Sequence, residues 1–177
     1  LRALSAMDGK PMRNESLALE PAGEAAIGDG RLVVAGSCGV AWNSRVAFIP
    51  LRDGMAATVR PMSAPGGVFV DGQARAYVVD GWHLECLDLL SVGRPIWRRM
   101  LGGAIGAPAW SGGWLYVAHV LAGDAVPEIV CIDPETSGGA VAWRLPLPGL
   151  APDSLLAAGK SRLVVPVSPG GAAALAV

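Results

Sequence analysis

The chain has 177 residues, of which 52% are hydrophobic, so it is long and apolar enough to form a folded core and is not an intrinsically disordered segment. Its charges nearly balance, with 14 Lys and Arg against 15 Asp and Glu. This balance leaves no basic excess for phosphate groups and argues against a nucleic-acid-binding function.

Five short apolar runs recur along the chain and are predicted to be β-strands. They lie at 1–5, 46–50, 84–88, 129–133 and 172–176, with centres 38 to 45 residues apart. A turn glycine follows each of the first four runs, at Gly9, Gly54, Gly93 and Gly138. A second kind of strand, preceded by a glycine-containing turn, falls between them at 28–34, 71–79, 112–117 and 159–165. Because no ten-residue window combines helical periodicity with caps at both ends, the pattern predicts an all-β fold.

The two strand motifs define a repeat. A period of about 40 residues with about four strands in each unit is typical of β-propeller blades. The predicted units are 1–44, 45–83, 84–127 and 128–171, with a fifth beginning at 172–177. In the third unit the strands are predicted at 84–88, 95–100, 107–110 and 114–119.

Two units carry a longer motif, in which a strand ending in aspartate is followed by a turn glycine and then by a tryptophan. Its residues are Asp88, Gly93 and Trp97 in one copy, and Asp133, Gly138 and Trp143 in the next. This motif resembles the PQQ-like repeat of quinoprotein-type β-propellers, whose tryptophan packs flat between neighbouring blades. The resemblance implies a single propeller segment over 1–177, built from four-stranded antiparallel blades, with these six residues as structural elements of the repeat.

The number of repeats indicates an incomplete ring. The family normally builds rings of seven or eight blades, whereas this chain provides about four repeat periods. The resemblance therefore implies a partial or half ring that another protein chain, or parts of the same polypeptide outside this sequence, would complete. The terminal runs 1–5 and 172–176 are copies of the same strand, so both are expected at open sheet edges.

The resemblance leaves three functions open. A non-catalytic scaffold that binds or assembles proteins is favoured, with no catalytic, metal-binding or cofactor-binding residue. The first alternative is a segment of a PQQ-dependent alcohol or sugar dehydrogenase, which would need PQQ and calcium. The sequence offers it only Asp80 and Asp124 in loops, two asparagines and no adjacent cysteine pair. The second alternative is an outer-membrane protein assembly lipoprotein of the same fold. The resemblance alone implies a periplasmic or extracellular location in a bacterium.

The remaining reactive residue types are interpreted as structural. Cys86 and Cys131 occupy the same repeat position, so they are expected to be buried and too far apart for a disulfide. Cys38 lies in a connector and is expected to be free or paired with a partner chain. His83 and His119 fall in different units without a nearby third ligand, so they are expected to be packing or surface residues.

One uncharged stretch, 100–123, has the length of a membrane span. Glycine pairs, a proline and a histidine divide it into pieces of strand length. The sequence therefore predicts no transmembrane segment.

Overall fold

The computed structural model describes residues 2–4, 11–14, 20–38, 40–52, 55–123, 126–151, 157–158, 162–167 and 171–176. In these ranges the regular secondary structure consists of β-strands alone, and all strand pairs are antiparallel. The all-β prediction is therefore confirmed. Within the same ranges, no helix is long and apolar enough to span a membrane.

The described strands form five sheets that follow the chain. Sheet 1 consists of β1 (Arg2–Leu4) and β2 (Pro11–Asn14). Sheet 2 consists of β3 (Glu20–Gly28), β4 (Arg31–Cys38), β5 (Val40–Pro50) and β6 (Thr58–Met62). Sheet 3 consists of β7 (Pro65–Val70), β8 (Arg75–Asp80), β9 (His83–Asp88) and β10 (Arg94–Met100). Sheet 4 consists of β11 (Gly103–Ile105), β12 (Ala109–Ser111), β13 (Trp114–Leu121), β14 (Glu128–Asp133) and β15 (Ala140–Pro146). Sheet 5 consists of β16 (Ala157–Ala158), β17 (Arg162–Val167) and β18 (Gly171–Ala176).

Sheets 2, 3 and 4 fill four strand positions in chain order. In sheet 4, β11 and β12 share the first position, because they pair with successive parts of β13. The β17–β18 register, with Leu163 opposite Leu175, matches the β8–β9 register, with Ala76 opposite Leu87. Sheet 5 therefore shows positions one to three of the repeat.

A β-bulge marks the pairing of the third and fourth strands in three sheets. One extra residue interrupts the register at Met12 in sheet 1, at Ile96 in sheet 3 and at Ala142 in sheet 4. A bulge adds one residue to one strand and changes the direction in which the following side chain points. The shared bulge identifies β1 and β2 as positions three and four of the repeat.

Consecutive sheets pack face to face through separate apolar clusters. Sheets 2 and 3 share a core of Val33, Ala35, Val46, Phe48, Met62, Val68, Ala76, Val78, Leu87 and Leu89. Sheets 3 and 4 share Tyr77, Val79, Leu84, Cys86, Trp97, Leu101, Leu115, Val117, Val130 and Ile132. Sheets 4 and 5 share Ala109, Tyr116, Ala118, Ile129, Cys131, Leu150, Leu163 and Val165. Alternate residues of the central strands enter opposite clusters, as a period of two requires. The structure thus shows stacked antiparallel sheets, and the closed ring of a propeller stays a prediction.

The sheets are offset from the predicted repeat units by half a period. The strands predicted at 84–88 and 95–100 correspond to β9 and β10 of sheet 3, whereas those predicted at 107–110 and 114–119 correspond to β12 and β13 of sheet 4. One predicted unit is therefore divided between two sheets. A sequence period defines the length of a repeat but not the point at which one sheet ends.

Candidate protein-interaction surface

The stack of sheets has two ends. At the linker end, the chain passes from one sheet to the next through 63–64 and 101–102, and the β8–β9 and β13–β14 hairpins turn. At the motif end lie the turns at 71–74, 89–93 and 134–139. The predicted motif residues are at or near the motif end.

The first copy of the motif links three sheets. Gly93 has a φ of +79°, and a Cβ there would lie 2.5 Å from the ring of Phe48 in sheet 2, so the position requires glycine for conformation and for space. Trp97 is 6% exposed and donates its indole N–H at 3.1 Å to the carbonyl of Pro134, in the turn between β14 and β15 of sheet 4. Sheet 3 therefore contacts the Phe48 ring of sheet 2 through Gly93, and its own Trp97 ring contacts sheet 4.

The aspartates of both copies build the same turn. The carboxylate of Asp88 accepts a hydrogen bond from the N–H of Leu90 at 2.8 Å, and that of Asp133 accepts one from the N–H of Glu135 at 3.0 Å. A hydrogen bond from Ser91 holds the pKa of Asp88 below its ordinary value. These are turn residues, and their oxygens serve the backbone.

In the second copy the glycine that the tryptophan ring meets is Gly139, which adjoins the predicted turn glycine Gly138. Gly139 directly precedes β15, as Gly93 directly precedes β10. A Cβ at Gly139 would lie 2.9 Å from the ring of Trp97, whereas one at Gly138 would meet no described residue within 4 Å. The ring-to-glycine contact between sheets is therefore repeated, with its glycine displaced by one residue.

Trp143 occupies the register position of Trp97 but is 38% exposed. Its ring lies 5.9 Å from that of Tyr116. The expectation of a second buried tryptophan is therefore wrong. Among the described residues, no segment covers Trp143 as the turn at 134–139 covers Trp97.

Sheet 2 forms the same contact with a different residue, which the sequence motif did not reveal. One cross-strand pair recurs at the same register position of the third and fourth strands: Phe48 with Thr58, Cys86 with Trp97 and Cys131 with Trp143. In each pair one side chain is aromatic and the other is small. The paired volume is therefore kept while the ring changes strands.

The cysteines are structural, as expected. Cys86 and Cys131 are unbonded and fully buried. Burial raises the pKa of Cys86 to about 12 and that of Cys131 to about 11. Both are protonated at neutral pH and are not nucleophiles. The side chain of Cys38 lies outside the described part of the chain.

A charged link joins sheets 3 and 4 at the motif end. Arg75 donates from Nε to Asp71 at 2.7 Å and from a terminal nitrogen to Glu135 of sheet 4 at 2.7 Å. Tyr77 donates its hydroxyl to the same carboxylate of Asp71 at 3.0 Å. Burial alone would lower the pKa of Arg75, but the hydrogen bonds to Glu135 and Asp71 raise it above its ordinary value.

The linker end carries a repeated set of one acid, one histidine and one arginine at matching register positions of two sheets. The members are Asp80, His83 and Arg98 in sheet 3, and His119, Glu128 and Arg144 in sheet 4. In sheet 3 the acid is on the second strand and the histidine on the third, whereas in sheet 4 the histidine is on the second strand and the acid on the third. An acid therefore lies opposite a histidine in both sheets, with the strand order reversed.

In sheet 3 these charges form a network. Asp80 accepts hydrogen bonds from the N–H groups of Ser63 and Ala64, at 2.5 and 3.0 Å, and so fixes the connection from sheet 2. Arg98 lies 3.3 Å from Asp80 and places its Nε 3.0 Å from the buried Glu85. Arg60 of sheet 2 reaches the other oxygen of Glu85 at 2.5 Å. The network therefore joins two sheets.

In sheet 4 the set is more enclosed. His119 is fully buried, and its Nδ1 lies 2.8 Å from Glu128, whose same oxygen also accepts a hydrogen bond from Arg144. The expectation that His119 is a packing residue is thus confirmed. Within the described residues, no three His, Cys, Asp or Glu side chains are grouped to hold a metal ion.

Exposed apolar side chains adjoin these networks. Trp82, Met100 and Leu121 are 53%, 61% and 43% exposed. Backbone hydrogen bonds connect their segments, because Leu101 donates to the carbonyl of Trp82 at 3.0 Å and Ala122 donates to that of Gly102 at 3.0 Å. Trp82, Met100 and Leu121 make up the linker-end patch.

Proteins with assigned functions give no further guide to the site. No family model matches the chain, and no curated protein matches it. Of the two loop aspartates considered for calcium, Asp80 has its oxygens occupied by backbone N–H groups and by Arg98, and Asp124 lies outside the described residues. The geometry of Asp80 is therefore that of a structural carboxylate.

Proposed function

We propose that this chain is a segment of a PQQ-like β-propeller that acts as a non-catalytic scaffold for binding another protein. The fold proposal is supported by the repeated strand order, the repeated bulge and the repeated contact of a ring with the glycine of the next sheet. A periplasmic or extracellular location follows from the family resemblance alone.

Completion of sheets 1 and 5 belongs to the same proposal. Within the described ranges, sheets 2, 3 and 4 fill four strand positions, whereas sheet 1 shows two positions and sheet 5 shows three. Strands from another protein chain, or from further parts of the same polypeptide, would fill the remaining positions by edge pairing.

The linker-end patch is the observation that carries the binding function. Large apolar side chains that are exposed together gain free energy when a partner covers them. Tryptophan, methionine and arginine are enriched at protein interfaces. Arg98 precedes Met100 by two residues on β10, and two carboxylates already orient its guanidinium. We therefore expect a protein partner whose apolar side chains cover Trp82.

Photo-cross-linking in the host cell tests this proposal. A photoreactive amino acid at Trp82 or Met100 should give one discrete cross-linked protein, whereas one at Ile96, which is 53% exposed and outside the patch, should not. Trp82→Ser should then weaken the affinity of the purified partner by at least about tenfold. Equal cross-linking at Ile96, or an unchanged affinity, would contradict the assignment.

A second experiment separates the scaffold from the dehydrogenase. PQQ and calcium are added to the purified protein, and the absorbance of bound quinone and the reduction of a dye by alcohols or sugars are measured. A scaffold gives neither signal. A stoichiometric bound chromophore with substrate-dependent dye reduction would replace the scaffold with the enzyme.

A further inference from the structure

We propose that a cavity at the motif end of sheet 2 binds a small oxyanion, either a carboxylate or a phosphate. The cavity has a volume of about 340 Å³, and its lining residues are Asp29, Gly30, Arg31, Pro50, Arg52 and Met55. This volume is at the lower end of the range for ligand pockets. Among the described residues of the lining there are two guanidinium groups and one carboxylate, which favours an anion. The proposal is independent of the linker-end patch.

The key residue, Arg31, has an equivalent in sheet 3. Arg31 begins β4 as Arg75 begins β8, and each lies opposite the last residue of the third strand, Pro50 or Asp88. Arg75 satisfies its guanidinium with two carboxylates, those of Asp71 and Glu135. This pair of contacts shows which partners an arginine uses at this position.

Sheet 2 lacks the equivalent of Asp71. Asp71 lies opposite Arg75 across the hairpin that joins the first two strands, and Gly28 lies opposite Arg31 in the same way. Glycine has no side-chain oxygen to accept a hydrogen bond. The Nε of Arg31 is accordingly buried and has no hydrogen-bond partner among the described residues.

The equivalent of Glu135 is also missing. Glu135 and Leu90 hold the same place in their turns, since each N–H donates to the aspartate two residues earlier. Leu90 is 68% exposed and has no acceptor in its side chain. Among the described residues, Arg31 forms an ion pair with Asp29, which is long at 3.5 Å. The site thus keeps the arginine but not the two carboxylates that satisfy its equivalent.

The missing acceptors define the chemistry of the ligand. A guanidinium binds oxyanions through parallel N–H donors, and carboxylates and phosphates fit this geometry. Arg52 adds a second cation on the cavity wall. A bound oxyanion would also offset the cost of leaving a buried donor unpaired. A neutral ligand of the same size would gain much less.

Nuclear magnetic resonance of arginine Nε–H groups tests the site. Succinate and inorganic phosphate are titrated separately into the full chain labelled with ¹⁵N-arginine. The Arg31 signal should shift and saturate with at least one of them, and the tighter of the two identifies the preferred anion. Arg52→Gln should weaken binding by about tenfold, as expected for the loss of one charge-assisted contact. Arg162→Gln is the matched control, because Arg162 begins β17 and is exposed. The affinity of this variant for the anion should equal that of the wild type.

Two further variants decide the result. Arg31→Gln should abolish the saturable shift of neighbouring amide signals while retaining a cooperative melt. Leu90→Glu keeps Arg31 and supplies the carboxylate that Glu135 gives to Arg75, so it should displace the anion. Failure of both ions to saturate, or equal binding by the wild type, Arg31→Gln and Leu90→Glu, would overturn the proposal.

Discussion

Trp97 shows how one side chain holds two sheets together. Its ring lies on Gly139, its indole N–H is bound to sheet 4, and it is almost fully buried. We expect Trp97→Ala to lower the free energy of unfolding by about 3–5 kcal/mol. Trp143→Ala should cost clearly less, because Trp143 is 38% exposed. Urea denaturation measures both, and equal losses would show that Trp97 does not have this packing role.

The two adjacent glycines of the second motif copy distinguish two effects of a substitution, which are backbone strain and steric clash. Gly138 and Gly139 have φ values of +84° and +61°, so alanine is strained at either position. Only at Gly139 does a Cβ also approach the ring of Trp97. Gly139→Ala should therefore reduce the melting temperature more than Gly138→Ala. A larger effect at Gly138 would contradict the register. The sequence could not distinguish the two positions, because the insertion that places them side by side leaves both in a turn.

The buried cysteines predict a loss of stability at alkaline pH. A thiol in the unfolded chain titrates near the ordinary cysteine pKa of 9.0, whereas the pKa of Cys86 is raised to about 12 and that of Cys131 to about 11. Between these values the unfolded state binds fewer protons than the folded state, so the free energy of unfolding falls as pH rises. Urea midpoints at about pH 8 and about pH 10 measure the decrease. A variant with both cysteines replaced by alanine should show a smaller decrease, and an unchanged one would exclude these thiols as its cause.

At the scale of the element, equivalent cross-strand pairs in different sheets have a similar combined side-chain volume. Sheet 2 has Phe48 opposite Thr58, where sheet 3 has Cys86 opposite Trp97. We expect Phe48→Cys to destabilise by creating a cavity, because Phe48 is fully buried, whereas Thr58→Trp alone should change stability little, because Thr58 is exposed. The double variant should recover much of the loss caused by Phe48→Cys, because it recreates the arrangement of sheet 3. A double-mutant cycle measures this coupling, and strict additivity would contradict it.

The same pair explains what a sequence motif can and cannot predict. Asp88, Gly93 and Trp97 identified a structural element because turn chemistry and a large ring are visible in sequence. The second unit lacks the motif because its ring, Phe48, is on the other strand of the pair. Strand existence followed from short apolar runs between turn residues, whereas the division into sheets depended on pairing that periodicity does not specify.

At the scale of the whole molecule, contacts between sheets were beyond the reach of the sequence. Glu85 pairs with Arg60 across 25 residues, and Arg75 pairs with Glu135 across 60 residues. Neither spacing belongs to a motif, so nothing in the sequence distinguished these charges from solvated ones. The linker-end patch is likewise formed by three segments that only the stacking of hairpins brings together.

Separate clusters between neighbouring sheets predict that stability varies along the stack. When each layer contacts only its neighbours, stability is a sum of layer terms and interface terms. Both faces of sheet 3 are covered, so the amides of β8 and β9 should exchange with solvent most slowly, and those of the exposed strand β15 should exchange faster. Glu85→Gln removes the charge that links sheets 2 and 3 and leaves the contacts between sheets 3 and 4 intact.

Hydrogen exchange on this variant tests the layered description. Exchange should accelerate in β4, β5 and β6 of sheet 2, with little change in β13 and β14. Glu135→Gln, which removes the link at the other interface, is the matched variant and should accelerate exchange in sheet 4 while affecting sheet 2 little. Uniform acceleration of all strands in both variants would show that the sheets unfold as one cooperative unit. The separate clusters would then be a property of the packing and not of the stability.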